Sequence, residues 1–305
     1  MSYPTGNAPC SWGVEFGDDP RNPPWEKVLD EARAAGYRGM ELGPLGFMPE
    51  NPEVLGEALG KRGLTLTAGV LFRPFHDPNA LPEIIDAAHR TCRSLKAQGA
   101  EQLVLIDSIS ERRVPTAGRP AEAERLVGAD LAAFHRRVRE VCEIATGDYG
   151  MTVSLHAHAA GFIEFEDEIH RTMDAFAPEL LGLCIDTGHC EYACTDPVKL
   201  YHQYHERVPY VHYKDVDPVI REKVVKERIG FYDACGMGLF CNLGDGVVDF
   251  AGFKAAMDEH GFSGWGTVEQ DCDPTAGNPV LADARHNLEF LTSVGIAAAD
   301  GRGAA

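Results

Sequence analysis

The 305-residue sequence predicts an α/β protein that folds as a single-domain (β/α)8, or TIM, barrel. Short β-rich runs alternate with longer segments of helical periodicity, and the alternation repeats eight times. Such alternation is typical of parallel strands joined by helical crossovers, and eight units close into a barrel. The length divided by eight gives about 38 residues per unit, which suits this fold. No GxGxxG motif follows the first strand, so a dinucleotide-binding sheet lacks its usual signature.

The eight predicted strands are short runs of mainly apolar and β-branched residues. In chain order they are Asn7–Ser11, Gly39–Leu42, Leu64–Val70, Gln102–Ile106, Thr152–His156, Leu181–Ile185, Tyr210–Tyr213 and Gly266–Glu269.

Longer segments with apolar residues at helical spacing lie between these strands and after the last one. The eight predicted helices are Pro24–Ala35, Pro52–Arg62, Ala80–Gln98, Ala121–Thr146, Asp167–Ala177, Pro197–Arg207, Phe250–His260 and Asp283–Ser293. Glycine favours the left-handed conformation that caps a helix, and proline is tolerated in the first turn. The glycines that follow predicted helices are Gly36, Gly63, Gly99 and Gly261, and the prolines that begin them are Pro24, Pro52 and Pro197.

We expect one domain over residues 1–296, followed by a flexible tail over residues 297–305. No linker or low-complexity stretch divides the chain. One insertion, residues 217–242, lies between the seventh and eighth strands and contains the charged helical stretch Ile220–Arg228 and a glycine-rich turn. Long loops on a barrel usually cover or shape the active site, so we expect the insertion to lie over it.

The charge balance excludes some classes of partner. Lys and Arg number 28 and Asp and Glu number 47, which gives a net charge of −19. An acidic surface repels nucleic-acid phosphates and anionic lipids, so we expect neither a nucleic-acid nor a membrane partner. No apolar run is long enough to span a bilayer, and the first residues lack the profile of a signal peptide. We therefore expect a soluble, cytoplasmic protein, either a monomer or a homo-oligomer.

The nine cysteines do not form a recognisable metal motif, because no CxxC pair occurs. Cys190 and Cys194 lie four residues apart beside His189, but a zinc knuckle would need two more ligands at matching spacing. Reduced thiols that serve as small apolar side chains are the favoured interpretation.

Polar residues lie at the ends of the last four predicted strands or just beyond them, at the barrel end where active sites lie. They are His156, His158 and Glu164 at strand five, Asp186 and His189 at strand six, His212, Lys214 and Asp215 at strand seven, and Glu269 and Asp271 at strand eight. So many carboxylates at one place would repel one another, and a divalent cation removes the repulsion. Mixed carboxylate and imidazole ligation suits manganese, cobalt, zinc or iron better than calcium.

Each of these residues also has a plainer interpretation. Asp186 could cap the following helix, His212 could be a satisfied core histidine, and Lys214 could pair with a surface aspartate. Glu269 could lie on a solvated rim. Their occurrence at four consecutive strand ends favours the metal site. We interpret the other histidines as structural or solvated, namely His76, His89, His135, His170, His202, His205, His260 and His286.

Five segments carry a resemblance to a known family. They are Gly6–Val14 (GNAPCSWGV), Asp186–His189 (DTGH), Val211–Val216 (VHYKDV), Leu243–Phe250 (LGDGVVDF) and Gly264–Asp271 (GWGTVEQD). In order and spacing they resemble the xylose isomerase-like TIM-barrel family of sugar isomerases and epimerases. Within it they are most similar to the inosose (2-keto-myo-inositol) dehydratase branch, and the resemblance covers nearly the whole chain.

The resemblance implies a metal held by one group from each of the last four strands. Three implied ligands are Asp186, His212 and Glu269, and for strand five the pattern implies Glu164, with His158 or His156 as second choice. The resemblance also implies that His189 and Lys214 contact the substrate and that Trp12 and Glu15 line the pocket. The metal is expected to be Mn2+, with Co2+, Mg2+ and Zn2+ as alternatives.

The implied chemistry starts from a hydroxyketone that chelates the metal, which stabilises an enediolate after a base removes the α-proton. The candidate bases are His156, His158 and Glu164. Lys214 is expected to stabilise the developing oxyanion. Glu269 is expected to act as a catalytic group as well as a metal ligand. We expect a metal-dependent lyase, a dehydratase of a keto-inositol or 3-keto sugar. The alternatives are a ketose 3-epimerase, an aldose–ketose isomerase, or a lyase that cleaves C-glycosides of 3-keto sugars.

Two further classes of protein share the fold. An abasic-site endonuclease also carries a DTxH segment, but it binds DNA through a basic surface. The net charge of −19 argues against such a surface here. A non-catalytic sugar-binding protein would be expected to lose ligands, whereas all four strand ends remain polar.

Overall fold

The computed structural model describes residues 1–273, 275, 277 and 279–298. Nine parallel strands form the barrel: β1 (Thr5–Asn7), β2 (Gly39–Met40), β3 (Thr65–Leu66), β4 (Ala68–Arg73), β5 (Gln102–Asp107), β6 (Thr152–His156), β7 (Gly182–Asp186), β8 (Tyr210–Tyr213) and β11 (Trp265–Val268). Their order is β3-β2-β1-β11-β8-β7-β6-β5-β4, and Thr67 alone separates β3 from β4. The two end strands are thus consecutive in the chain and the barrel is nearly closed, which confirms the predicted single-domain fold.

Helices surround the barrel and follow most of its strands. They are α1 (Trp25–Ala35), α2 (Pro52–Arg62), α3 (Leu81–Gln98), α4 (Gly128–Tyr149), α5 (Glu166–Asp174), α6 (Thr187–Tyr192), α7 (Pro197–Tyr204), α8 (Pro218–Glu227), α9 (Phe231–Gly236), α10 (Phe250–Glu259) and α11 (Val280–Ser293). Apart from the first strand and α4, the ends of the predicted strands and helices differ from these by no more than three residues. Among the described residues no helix has both the length and the apolar character that a bilayer span requires.

The first strand ends earlier than predicted. The sequence indicated Asn7–Ser11, but β1 stops at Asn7 and Pro9–Trp12 forms a 3-10 helix. Proline has no amide hydrogen for a strand ladder, and the amide of Ser11 donates to the carbonyl of Ala8 instead. The helix closes on Gly13, whose φ of 76° is one that glycine adopts without strain.

The helix predicted over Ala121–Thr146 begins later, at Gly128. Two buried or half-buried arginines hold the preceding segment in another conformation. Arg113 donates to the backbone carbonyl of Glu124, and Arg125 pairs with Asp167 at 3.0 Å. These contacts use a carbonyl that a helix would need for its own hydrogen bonds.

The insertion between β8 and β11 forms a small unit above the barrel. Its strand β10 (Phe240–Cys241) pairs antiparallel with β9 (Asp215–Val216), and α8 contains the predicted helical stretch. Phe231 of α9 contacts the rings of His158 and His189, with centroids 5.5 and 6.0 Å apart. The insertion therefore lies beside the polar strand ends.

The chain end differs in one respect from the expected flexible tail over residues 297–305. Ala297 is buried and forms a β-bridge with Tyr3, so the packed structure includes it. Residues 299–305 lie outside the described part of the chain.

Strand register brings the polar residues to one level. His212 lies opposite Asp186 on one side and Thr267 on the other, while His156 lies opposite Cys184. Because all these strands are parallel, their carboxyl ends open on the same face of the barrel.

Candidate active site and metal centre

Four buried residues meet at the carboxyl ends of the last four barrel strands. His156, Asp186, His212 and Glu269 each offer one ligand atom, and these atoms lie within 4.8 Å of one another. His212 Nδ1 is 3.2 Å from Glu269 Oε2 and 3.9 Å from Asp186 Oδ2, and His156 Nε2 is 3.4 Å from the same Asp186 oxygen. Three of the expected ligands are thus brought together, with His156 as the fourth.

Glu164, the ligand expected from strand five, does not join this group. Its Oε1 accepts the amide of Gly118 at 2.7 Å, and its Oε2 accepts the amide of Ala160 at 3.1 Å. The buried guanidinium of Arg113 lies 3.2 Å from the same Oε2. Its carboxylate therefore fixes the loop after β6, and His156 supplies the group from this strand. Burial raises the pKa of Glu164 to about 7 even though Arg113 opposes the shift.

Glu41 orients His212. It follows β2, is fully buried, and its Oε1 lies 2.9 Å from His212 Nε2 and accepts a hydrogen bond from the Tyr210 hydroxyl. A carboxylate at Nε2 holds a ring proton there, which leaves Nδ1, directed at Asp186 and Glu269, as the nitrogen that a cation would bind. Histidines that bind metals commonly have such a carboxylate behind them.

The residues present fit a divalent cation. His212 Nδ1, which faces Asp186 and Glu269, is buried and has no hydrogen-bond partner among the described residues. A buried polar atom without a partner is costly, and coordination to a cation satisfies it. Two imidazoles and two carboxylates are also the mixed donor set that manganese, cobalt, zinc and iron accept.

Asp186 serves two of the roles that the sequence left open. Its Oδ1 accepts the amide of His189 at 2.7 Å and so caps α6, while its Oδ2 faces His156 and His212. The helix cap fixes the carboxylate plane, which leaves the second oxygen directed at the candidate metal centre.

Lys214 brings a buried positive charge to the same place. Its Nζ lies 2.8 Å from Asp271 Oδ2, 3.1 Å from Glu269 Oε2 and 3.6 Å from Asp186 Oδ2. Burial by itself would lower the pKa of Lys214, but these carboxylates outweigh it and raise the pKa well above its usual value. The ammonium group is therefore charged.

The glycine of the DTGH motif makes room for this lysine. A Cβ atom on Gly188 would lie 2.6 Å from Cγ and 2.8 Å from Cβ of Lys214, distances that real Cβ atoms do not show. Only glycine at position 188 lets the lysine side chain cross α6 to reach the carboxylates. The DTGH motif therefore needs its glycine for a steric reason, whereas its aspartate, Asp186, supplies charge at the cluster.

His158 and His189 form a neutral pair beside Lys214. Their ring centroids are 4.1 Å apart, and His158 Nδ1 donates to the carbonyl of Ala159 at 2.8 Å, which leaves Nε2 unprotonated. Burial, His156 and Lys214 lower the pKa of His158 to about 3. Burial and the neighbouring His158 and Lys214 lower the pKa of His189 well below its usual value. His189 Nε2 is 3.2 Å from Lys214 Nζ, so it contacts the lysine that the sequence placed at the substrate.

A cavity of about 740 Å³ opens above these residues. Its described lining includes Glu41, His158, Lys214, Glu269 and Asp271 from the strand ends, and Phe231, Tyr232 and Cys235 from the insertion. Glu15 lines it as predicted and accepts a hydrogen bond from the Tyr232 hydroxyl at 3.1 Å. Burial and the neighbouring Asp271 raise the pKa of Glu15 to about 7.

Trp12 is placed differently from the expectation. Its indole NH donates to Glu31 of α1 at 2.8 Å, and the buried ring belongs to the hydrophobic core instead of the described cavity lining. The 3-10 turn after β1 directs this side chain outward between the barrel and α1. Glu41 was the residue that the sequence analysis missed, although a carboxylate directly after a predicted strand was a signal that could have found it.

A parallel barrel with a polar cavity at the carboxyl ends of its strands defines a (β/α)8-barrel enzyme. The profile of the family described as xylose isomerase-like TIM barrel matches residues 29–294. The protein belongs to this family, which confirms the resemblance seen in its motifs.

Similar proteins narrow the class of reaction. An inosose dehydratase of Geobacillus kaustophilus is 30% identical over 283 residues, which cover 90% of this chain and 89% of that protein. The rhizopine catabolism protein MocC of Rhizobium meliloti is 31% identical over 312 residues, covering 98% and 90%. A solved structure of the IOLI protein with a bound zinc atom superposes with a TM-score of 0.69 at 16% identity, covering 96% of this chain and 98% of that one. The protein is an enzyme of the lyase or isomerase/epimerase kind.

Proposed function

We propose that the protein is a divalent-metal-dependent lyase that dehydrates a keto-inositol or a 3-keto sugar, as an inosose dehydratase does. The observation that carries the proposal is the convergence of His156, Asp186, His212 and Glu269 beside the charged Lys214 under one cavity. The named inosose dehydratase at 30% identity over most of both chains supports the choice of reaction.

The four clustered residues would hold the metal, with Mn2+ expected first and Co2+, Mg2+ or Zn2+ as alternatives. A cation bound there would act as a Lewis acid toward the carbonyl oxygen of the substrate. Glu41 keeps His212 in the tautomer that ligation needs.

The charge of the cavity favours an uncharged polyol as substrate. Its described lining contains eight acidic side chains, Glu15, Asp18, Asp19, Glu41, Glu83, Glu269, Asp271 and Asp273, and four basic ones, Arg21, Arg73, Arg90 and Lys214. Carboxylates accept hydrogen bonds from sugar hydroxyls, whereas an excess of them repels phosphate or carboxylate groups. The volume of about 740 Å³ leaves room for a six-carbon ring.

His158 is the candidate base for the α-proton. It lines the cavity, and its Nε2 carries a lone pair because Nδ1 donates to the carbonyl of Ala159. We do not propose Glu164 as the base, because Arg113 and two backbone amides hold its carboxylate.

Lys214 and Glu15 complete the assignment. The Lys214 ammonium group is placed to stabilise negative charge that develops on the substrate carbonyl oxygen. Loss of the β-hydroxyl needs a proton, and Glu15, with a pKa of about 7 on the cavity wall, is the candidate acid.

The test is an assay of the metal-loaded enzyme with a panel of keto-inositols, ketoses and 3-keto glycosides, in which products are followed by dione absorbance and by chromatography. Dione formed from 2-keto-myo-inositol supports the proposal, and phosphorylated ketoses should not react. Epimers as the only products would assign the enzyme to the ketose 3-epimerases. A His158→Gln variant that keeps full dehydratase activity would refute the role of the base.

A further inference from the structure

A second group of histidines lies at the opposite end of the barrel from the cavity. His202 is in the last turn of α7, and Glu259 and His260 end α10. These helices run back from the carboxyl ends of the strands, and their last residues precede β8 and β11 by a few positions. From the sequence alone, these histidines were expected to be structural or solvated.

The ligand atoms of this group are close enough to share one ion. His202 Nδ1 lies 2.9 Å from His260 Nε2, and each of the three residues offers a donor atom within 4.8 Å of the others. With Zn–N bonds of about 2.0–2.1 Å, two nitrogens on a tetrahedral zinc ion are separated by about 3.4 Å. A small rotation of the exposed His202 side chain therefore gives the spacing that coordination needs.

Neighbouring contacts support the arrangement. The ring of His205 stacks on that of His260 with centroids 3.8 Å apart and planes 15° from parallel, which limits the rotation of His260. Both helices end here, and the carboxyl end of a helix carries partial negative charge that favours a cation. The two helices also pack against each other, so the two histidines are held on adjoining rigid elements.

We propose that His202, Glu259 and His260 form a second metal site, for a borderline divalent cation such as Zn2+, Ni2+ or Co2+. Two imidazoles and one carboxylate are the donors that such ions accept, and water completes the coordination. The ion would link the ends of α7 and α10 and so join two neighbouring strand–helix units. This site is distinct from the candidate catalytic centre and does not depend on the proposed function.

The experiment is a zinc titration of untagged, chelator-treated protein by calorimetry, with metal content measured after gel filtration. The variants are His202→Ala, His260→Ala, Glu269→Gln and the double variant His202→Ala/Glu269→Gln. His286→Ala is the matched control, because His286 is an exposed histidine on α11, outside both groups. Alanine suits the exposed helical position of His202, so that variant is expected to fold.

After gel filtration we expect two equivalents of retained zinc in the wild type and the control, one in each single variant, and none in the double variant. The equivalent that remains in Glu269→Gln should weaken at least about 10-fold on adding His202→Ala. Zinc stoichiometry and affinity that are the same in His202→Ala, His260→Ala and the control would overturn the proposal. That result would mean that His202 and His260 form only a hydrogen bond.

Discussion

Nε2 of His212 lies 2.9 Å from Oε1 of Glu41, and both side chains are fully buried. The two residues are far apart in the chain, on β8 and directly after β2, and the barrel brings them together. This hydrogen bond determines which nitrogen of His212 faces the carboxylates, and so whether that nitrogen is free to bind a metal.

The first prediction concerns this pair. Glu41→Gln keeps the shape of the side chain but removes the charge behind His212, so the affinity for Mn2+ should fall about 10- to 100-fold. Titration of metal-free protein with Mn2+, followed by electron paramagnetic resonance, measures the change. Glu53→Gln on the exposed start of α2 is the control, and equal affinities in the two variants would contradict the account.

The second prediction concerns the space that Lys214 occupies. Gly188→Ala puts a Cβ 2.6 Å from Lys214 Cγ, so the lysine must move and kcat should fall strongly. Overpacking of this kind also costs about 1–3 kcal/mol of unfolding free energy. Gly147→Ala is the matched control, since no atom lies within 4 Å of its added Cβ, and it should stabilise α4 by about 0.5–1 kcal/mol. Wild-type kcat in Gly188→Ala would refute the steric explanation of the motif.

The third prediction concerns the loop that Glu164 fixes. Arg113 is fully buried and pairs with Glu168 at 2.6 Å and Glu164 at 3.2 Å. Arg113→Met takes the buried guanidinium away from both carboxylates, and among the described basic residues Glu168 keeps only Arg125 at 3.3 Å, so the free energy of unfolding measured in urea should fall by about 3–5 kcal/mol. The neighbouring Arg112 is largely exposed in its pair with Glu124, so Arg112→Met should cost at most about 1 kcal/mol. Similar losses of unfolding free energy in the two variants would show that the buried contacts of Arg113 do not support the loop.

The fourth prediction concerns pH. The pKa of Glu15 is about 7 in the folded protein, above the usual value of 4.5. Between these values the folded state holds a proton that the unfolded state has lost, so this group lowers stability as pH rises through the window. Glu15→Gln removes the effect, and its stability relative to wild type should increase from pH 5 to pH 7.5 in urea unfolding. Glu53→Gln reports the general effect of losing a surface carboxylate. If the difference in unfolding free energy between Glu15→Gln and wild type stayed constant from pH 5 to pH 7.5, the shifted pKa would be contradicted.

Most of the barrel could be predicted from local sequence signals. Helices capped by Gly36, Gly63 and Gly99 begin and end within a residue of their predicted bounds, because caps and first-turn prolines act locally. The first strand was predicted too far along the chain, at Asn7–Ser11 instead of Thr5–Asn7, because the prediction gave too little weight to Pro9. The start of α4 depends on Arg113, which no local pattern reveals.

The candidate site could be predicted in part for the same reason. Asp186 and His212 lie at the ends of β7 and β8, and Glu269 directly follows β11, so parallel register alone brings them together. Glu164 lies in a loop, and its neighbours are set by Arg113, a residue 51 positions earlier in the chain. Spacing along the sequence could not show that this arginine takes the carboxylate and leaves the position at the centre to His156.

The most direct test of the central claim compares the wild type with Glu269→Gln, using Glu53→Gln as a control. Metal content is measured after loading with Mn2+, and dione absorbance is followed with 2-keto-myo-inositol. The account predicts bound manganese and dione formation in the wild type and the control, with both lost in Glu269→Gln. No bound metal in the wild type, or full activity in Glu269→Gln, would contradict it.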